Sequence, residues 1–247
     1  MNFPAAFDRW ARECIILAFA AAFALIFATA SPAHACAARR PGCLAVPFAP
    51  QSASGQTATP TITFRKVFKS SYPEFVEIRV NPSGSGTYDI RALDDPPTPQ
   101  PFEFGAALAQ KIFVLAARLH DFQGVDLEIH HRIANLGEKT FIYENGGEKH
   151  EISFNYTLDE SASQLLDIFE GLSRQEMDLS DLQRTMRYDR LGVNDILLRI
   201  DDDYSHKLLP APEAFLPFLD QLSSDDRFIS MARQRAASLA TKIRAAH

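Results

Sequence analysis

The chain has 247 residues, of which 46% are apolar, 11% aromatic and 23% charged, and its formal net charge is −6. That mix belongs to an ordinary globular protein and excludes collagen-like, low-complexity and fully disordered classes. The acidic balance argues against broad binding to nucleic acid or anionic membranes, which wants clustered Lys and Arg.

Residues 1–35 read as a secretory signal. Arg9 and Arg12 supply the positive start, and Cys14–Ala28 is a fifteen-residue run without a charged side chain. A comfortable membrane span needs about 20 such residues, so the run suits a leader better than an anchor. Ser31-Pro32 breaks a helix, and Ala33-His34-Ala35 is the small-residue pattern that signal peptidase cuts. Ala28-Thr29-Ala30 offers a second cut site. The alternative is an uncleaved anchor with Arg9 and Arg12 held inside. The sequence therefore predicts an exported protein, periplasmic or secreted, with no integral membrane segment once the leader is gone. Cys14 leaves with the leader. Cys36 and Cys43 remain, seven positions apart, and are placed to close a small disulfide loop in an oxidising compartment. Without a CxxC pair, a Cys-rich structural zinc site is excluded.

Residues 36–60 are rich in Pro, Ala, Ser, Thr and Gln and predict a flexible tether. From Thr61 the apolar period becomes two. Ile62 and Phe64 alternate with Thr63 and Arg65, Val76-Ile78-Val80 with Glu77 and Arg79, and Tyr88-Ile90-Ala92 with Asp89 and Arg91. The turn residues of Asn81–Gly86 join the last two as a hairpin. Pairing Val80 with Tyr88 and Ile78 with Ile90 sorts the apolar side chains to one face, with Arg79 opposite Asp89 and Glu77 opposite Arg91. Asp94–Pro101, with four prolines, predicts a loop. Phe104–Leu119 predicts a helix with Leu108, Ile112, Leu115 and Leu119 on one stripe.

Lys139–Tyr156 predicts a second hairpin turning at Gly146-Gly147, which pairs Phe141 with Ile152 and Glu144 with Lys149. Beyond Thr157 the pattern is helical. Thr157 and Glu160 have capping-box spacing ahead of Leu165, Ile168, Phe169 and Leu172. Ser180 is placed to cap a further helix that stops near Leu191-Gly192. Ile196, Leu197, Ile200 and Tyr204 mark another, and Pro212 opens one bearing Phe215, Leu216 and Leu219. A last helix, starting around residues 224–226, carries Phe228, Ala232, Ala236, Leu239 and Ile243, with its acids at the start and Lys242 and Arg244 near the end. The expected fold is α+β: an antiparallel sheet of about five strands in residues 61–173, with helices on one face, and a helical region in 174–247 packed on it. Alternation within each strand is what a half-solvated sheet requires, and a parallel doubly wound fold would need continuous apolar strands.

Strong catalytic motifs are missing: no GxSxG elbow, HExxH helix, Walker loop, GxGxxG fingerprint or EF-hand loop is present. Gly84-Ser85-Gly86 joins two strands and reads as a turn rather than a phosphate cradle. His120–His131 is the most suggestive window, because His120, Asp121, Asp126, Glu128, His130 and His131 are all metal-ligand or acid–base types. As a strand it would place Asp126, Glu128 and His130 on one outer face, about 7 Å apart, within reach of one cation. As a helix it would group Leu127, His130 and His131. Asp201-Asp202-Asp203 lacks the sharp Gly turn of a calcium loop. Arg184, Arg187 and Arg190 recur every three residues, with Asp181 and Asp189 close enough to neutralise part of the stripe. Phe215, Leu216, Phe218 and Leu219 read as core rather than as an exposed docking knob.

The leading functional expectation is a non-catalytic binding or interaction module, exported, with an envelope protein or envelope component as partner, no nucleic acid and no cofactor. A structural helper for a neighbouring protein has the same sequence signature. The alternative is a metal-assisted hydrolase using His120, Asp126, Glu128 and His130.

Overall fold

In a computed structural model of the protein, residues 59–69 and 71–246 are described. The leader and the Cys36–Cys43 pair lie outside the described residues, as does nearly all of the tether.

The fold is α+β. Strands β1 (Thr61–Val67), β2 (Phe75–Val80), β3 (Ser85–Arg91), β4 (Gln100–Glu103), β5 (Glu138–Asn145) and β6 (Glu148–Phe154) form one antiparallel sheet in the order β4-β3-β2-β1-β5-β6. Helix α1 (Ala106–Arg118) and the first half of α2 (Glu160–Tyr188) cover one face. Helices α3 (Val193–Ser205), α4 (Leu216–Ser224) and α5 (Ser230–Ala245) gather around the second half of α2.

The period-two alternation explains the covered face. Ile62, Phe64, Ile78 and Val80 are fully buried there with Phe141, while Arg65 and Glu77 pair at 2.8 Å on the other face. Phe141 sits at the centre of an aromatic cluster, its ring 5.3 Å from those of Phe122 and Phe154, 5.8 Å from Phe64 and 6.1 Å from Phe169. These rings tie β1, β5 and β6 to α2 in one apolar mass.

The β5–β6 hairpin has the predicted register, Phe141 opposite Ile152 and Glu144 opposite Lys149 around Gly146-Gly147. The β2–β3 hairpin does not. Its register is tighter by two residues, with Ile78 opposite Tyr88, Val76 opposite Ile90 and Val80 opposite Gly86. A two-residue shift keeps every side chain on its face, so apolar sorting cannot tell the registers apart. Turn chemistry decides. The Asn81 Oδ1 accepts from the Ser83 backbone N–H at 3.0 Å, and Gly84 turns back at φ 88°. Gly86 can then enter the ladder because it has no Cβ, which would lie 2.2 Å from the Arg79 carbonyl oxygen. The shift sets Glu77 opposite Asp89, a like-charge pair. Arg65 neutralises Glu77 across β1, and Arg91 binds Asp89 along its own strand at 3.0 Å.

Other boundaries also differ from expectation. The end of the proline-rich segment forms β4, an edge strand on which Pro101 lies opposite Thr87, because an edge tolerates a missing N–H. The sheet therefore has six strands rather than five. The cap of α2 is Asp159, which accepts from the Ala162 N–H at 2.8 Å; Thr157 instead accepts from the Asp159 N–H at 3.2 Å. No new helix begins at Ser180, since α2 runs unbroken from Glu160 to Tyr188. The last helix begins at Ser230, later than the acids that suggested its start. Asp225 and Asp226 stay in the preceding turn, engaged by Arg227 and Arg233.

Removing the central ring tests this core. Phe141→Ala should cost about 3–5 kcal/mol in urea unfolding, with the cavity left among four other rings. A loss below about 1 kcal/mol would mean that the sheet and α2 are not joined there.

Candidate functional site

Helix α2 changes surroundings halfway along. From Ala162 to Leu172 its buried face belongs to the sheet core, and from Leu179 it belongs to the helical cluster. Between those limits it buries polar groups: Ser173, Gln175, Glu176 and Asp178. The Gln175 Oε1 accepts from the Ala211 backbone N–H at 3.0 Å, which holds the α3–α4 connection against α2. Gly171 allows that connection to approach, since a Cβ there would lie 2.7 Å from Pro210 Cγ.

Beside this polar stretch lies a cleft of about 710 Å³, lined by the end of β1 and the segment after it, by α2 and by α3. Its apolar wall includes Phe64, Phe68, Val76, Met177 and Leu208. Its charged wall sets Lys66, Arg174 and Arg199 among Glu170, Asp178, Asp181 and Asp203. Lys66 Nζ donates to Glu170 at 2.7 Å. Arg199 spans two acids of α2, with its Nε 2.7 Å from Asp178 Oδ1 and an Nη 2.8 Å from Asp181. Arg184 closes on Asp181 from the far side at 2.7 Å, and Arg174 stands 3.8 Å from Asp203.

Asp178 is the exception in this network. Its side chain is only 5% exposed, and Oδ2 is buried without a hydrogen-bond partner. Burial pushes its carboxyl up to about 6, against the pull of Arg199 and with the help of the neighbouring Asp203. Two carboxyls side by side favour a shared proton, which is how Asp203 helps to raise Asp178. Asp181, three residues on, is held below its ordinary value: burial would raise it, but Arg199 and Arg184 outweigh that. A second buried acid, Glu176, is pushed up to about 7 by burial, with Gln175 donating to it at 3.4 Å. Its charge also helps raise the Tyr88 hydroxyl, after burial.

The sequence-predicted window lies elsewhere. His120–Phe122 is a short 3-10 turn in which all three residues have positive φ, and residues 123–137 have no regular structure, neither strand nor helix. The reason is anchoring: Phe122 and Leu127 are buried in the core, and Asp121 offers its carbonyl to His150 at 3.1 Å. Only part of the predicted quartet comes together. His130 Nε2 lies 2.9 Å from Asp126, both side chains well exposed. Asp126 is held below its ordinary value by the Glu128 backbone N–H and then by His130. Glu128 turns to accept from the Asn155 N–H at 2.6 Å, and His120 stays exposed in its turn. Among the described residues no group of three or more His, Cys, Asp or Glu is placed to hold a metal ion.

The remaining sequence candidates take structural roles. The three aspartates divide their partners: Asp201 binds Lys242 at 2.7 Å, Asp202 faces His206, and Asp203 faces the cleft. Arg184 pairs with Asp181 as its spacing suggested, whereas Asp189 accepts from the Gly192 N–H. Phe215 and Leu219 are fully buried, with Leu216 and Phe218 packed against the same core. The cleft itself was not anticipated. Its one signal in the sequence is the polar interruption between Leu172 and Leu179 on an otherwise apolar face.

Comparison with protein-family models gives no match, and neither does comparison with curated proteins. The fold and site define an α+β protein with a charged cleft where its sheet half meets its helical half.

The two buried acids set a pH dependence. Both carboxyls bind protons more tightly folded than unfolded, so stability falls as pH rises from about 4 to about 7. Glu176→Gln removes one such group while keeping its shape. The variant should melt several degrees above the wild type at pH 8 and within a degree or two of it at pH 4.5. Equal melting of the two proteins at pH 8 would show that folding does not raise the Glu176 carboxyl.

Proposed function

We propose that this chain is an exported, non-catalytic binding module that holds an envelope component in the cleft between β1, α2 and α3. The observation that carries the reading is the buried Asp178 Oδ2, which lacks a donor in a cleft otherwise filled with matched charges. A protein that used this seam only for packing would gain by satisfying or replacing that oxygen, since an unmet buried acceptor costs about 1–3 kcal/mol. Concave, partly apolar sites with a few placed polar groups are the usual form of a small-molecule site. The export half rests on the leader: Arg9 and Arg12, the short apolar run and Ala33-His34-Ala35. The tether of residues 36–60 suits a domain that works at a distance from its point of export.

Native mass spectrometry of untagged full-length product, recovered separately from envelope and cytosol, tests both halves. The expected product starts after Ala35 or Ala30, comes from the envelope fraction and retains a small molecule. Met177→Trp, which fills the cleft, should lose that molecule. A chain in the cytosol that still begins at Met1, or wild-type protein that retains nothing, contradicts the reading. Retained zinc or manganese that His130→Ala abolishes would instead favour metal-assisted hydrolysis by His120, Asp126, Glu128 and His130.

A further inference from the structure

We infer that a second hollow, between the C-terminal half of α2 and the turn from α4 to α5, binds a small organic phosphate, a phosphoryl group on an apolar body. The inference depends neither on the cleft nor on its occupant.

The hollow measures about 340 Å³. Arg187, Arg190 and Arg227 line it with Gln183 and Gln221, and among its lining residues there is no carboxylate. Gln183, Arg187 and Arg190 follow one another at spacings of four and three along α2, so their side chains leave the helix on the same side.

Most other arginines of the helical half meet a carboxylate. Arg174 stands 3.8 Å from Asp203, Arg184 and Arg199 hold Asp181, and Arg244 holds Asp220 at 2.6 Å. Arg187 and Arg190 differ. Among the described residues neither guanidinium has an ion-pair or hydrogen-bond partner: Arg187 lies 5.8 Å from the centre of the Tyr188 ring, and Arg190 acts on Asp225 only through space. The acids flanking them are already engaged. Asp189 accepts from the Gly192 N–H at 3.1 Å, Asp225 takes Arg227 on both oxygens, and Asp226 takes Arg233. Two uncompensated positive charges therefore share one concave surface in a protein whose net charge is −6. Like charges one turn apart on a helix repel, so the fold alone gains nothing from keeping them together.

The chemistry favours a phosphate monoester. It carries about two negative charges at neutral pH and three acceptor oxygens, whereas a carboxylate brings one charge. Guanidinium forks bind phosphate bidentately. The volume suits one small molecule, and Phe218 and Phe228 in the wall offer apolar surface for its body. A nucleic acid fits poorly, since its other phosphates would meet an acidic protein.

The probes are phenyl phosphate, phenylacetate, phenol and inorganic phosphate, titrated calorimetrically into full-length protein at pH 7.5 in a phosphate-free buffer. Phenyl phosphate should bind most tightly, phenylacetate and inorganic phosphate more weakly, and phenol not at all. Arg187→Gln and Arg190→Gln should each weaken phenyl phosphate by about fivefold or more. Arg118→Gln on α1 and Met177→Trp in the cleft should leave it unchanged. Both α2 variants replace exposed side chains and relieve a repulsion, so their melting temperatures without probe should match or exceed the wild type, which shows that they fold. Unchanged affinity in either α2 variant, or binding of phenol as tight as that of its phosphate, overturns the inference. Binding that Met177→Trp abolishes and the α2 variants spare would place the molecule in the cleft and overturn the second hollow. Phenylacetate or inorganic phosphate bound as tightly as phenyl phosphate would overturn the choice of an organic phosphate.

Discussion

One helix holds this protein together. Helix α2 contributes Leu165, Phe169 and Leu172 to the sheet core and Leu179 and Leu182 to the helical core, and it does so without a break. Between Leu172 and Leu179 the helix passes from one core to the other. The sequence fills that stretch with Ser173, Gln175, Glu176 and Asp178, and the fold must then find partners for buried polar atoms. Gln175 finds the Ala211 backbone, Glu176 keeps its proton up to about pH 7, and Asp178 finds Arg199 for one oxygen only. The cleft, its charges and its unmet acceptor all follow from this changeover.

The sheet was largely readable from the chain because its information is local. Period-two alternation marks β1, β2, β3, β5 and β6, and Gly146-Gly147 sets the second hairpin to the residue. Where two registers preserved the same faces, as in β2–β3, alternation had nothing to say and the Asn81 turn decided. The edge strand β4 escaped notice because its prolines mask a pairing that needs few N–H groups. The cleft was far less legible. Its network joins Asp178 to Arg199, 21 residues on, and Lys66 to Glu170, 104 residues on, and no spacing rule links them. The polar stretch that builds the site lies between two apolar runs, Leu165–Leu172 and the run after Ser180, that local periodicity treats as separate helices. His120–His131, dense in reactive residue types, fastens an irregular segment to β6 through the Asp121 carbonyl and His150 and to the residue after it through Glu128 and Asn155.

A lysine near the cleft, Lys139, illustrates a satisfied buried charge: its ammonium donates to the carbonyls of Leu136, Gly137 and Asn155, although burial and Lys66 hold its pKa below the ordinary value. All of its donors are occupied, so it fastens a loop and offers nothing to a ligand. Asp178 is the reverse case, equally buried and half unpaired. An unmet buried acceptor, rather than a density of titratable residues, sets the α2 changeover apart from the rest of the fold.

The α2 changeover turns on the state of a single carboxyl group, that of Asp178. A ¹³C NMR titration of the Asp178 side-chain carboxyl in the otherwise unmodified protein reads that state directly. The account predicts a midpoint near 6, well above an ordinary aspartate, with Asp181 titrating below its usual range in the same spectra. A midpoint for Asp178 at or under about 4 would mean a fully paired carboxylate, and the buried vacancy at the centre of the account would not exist.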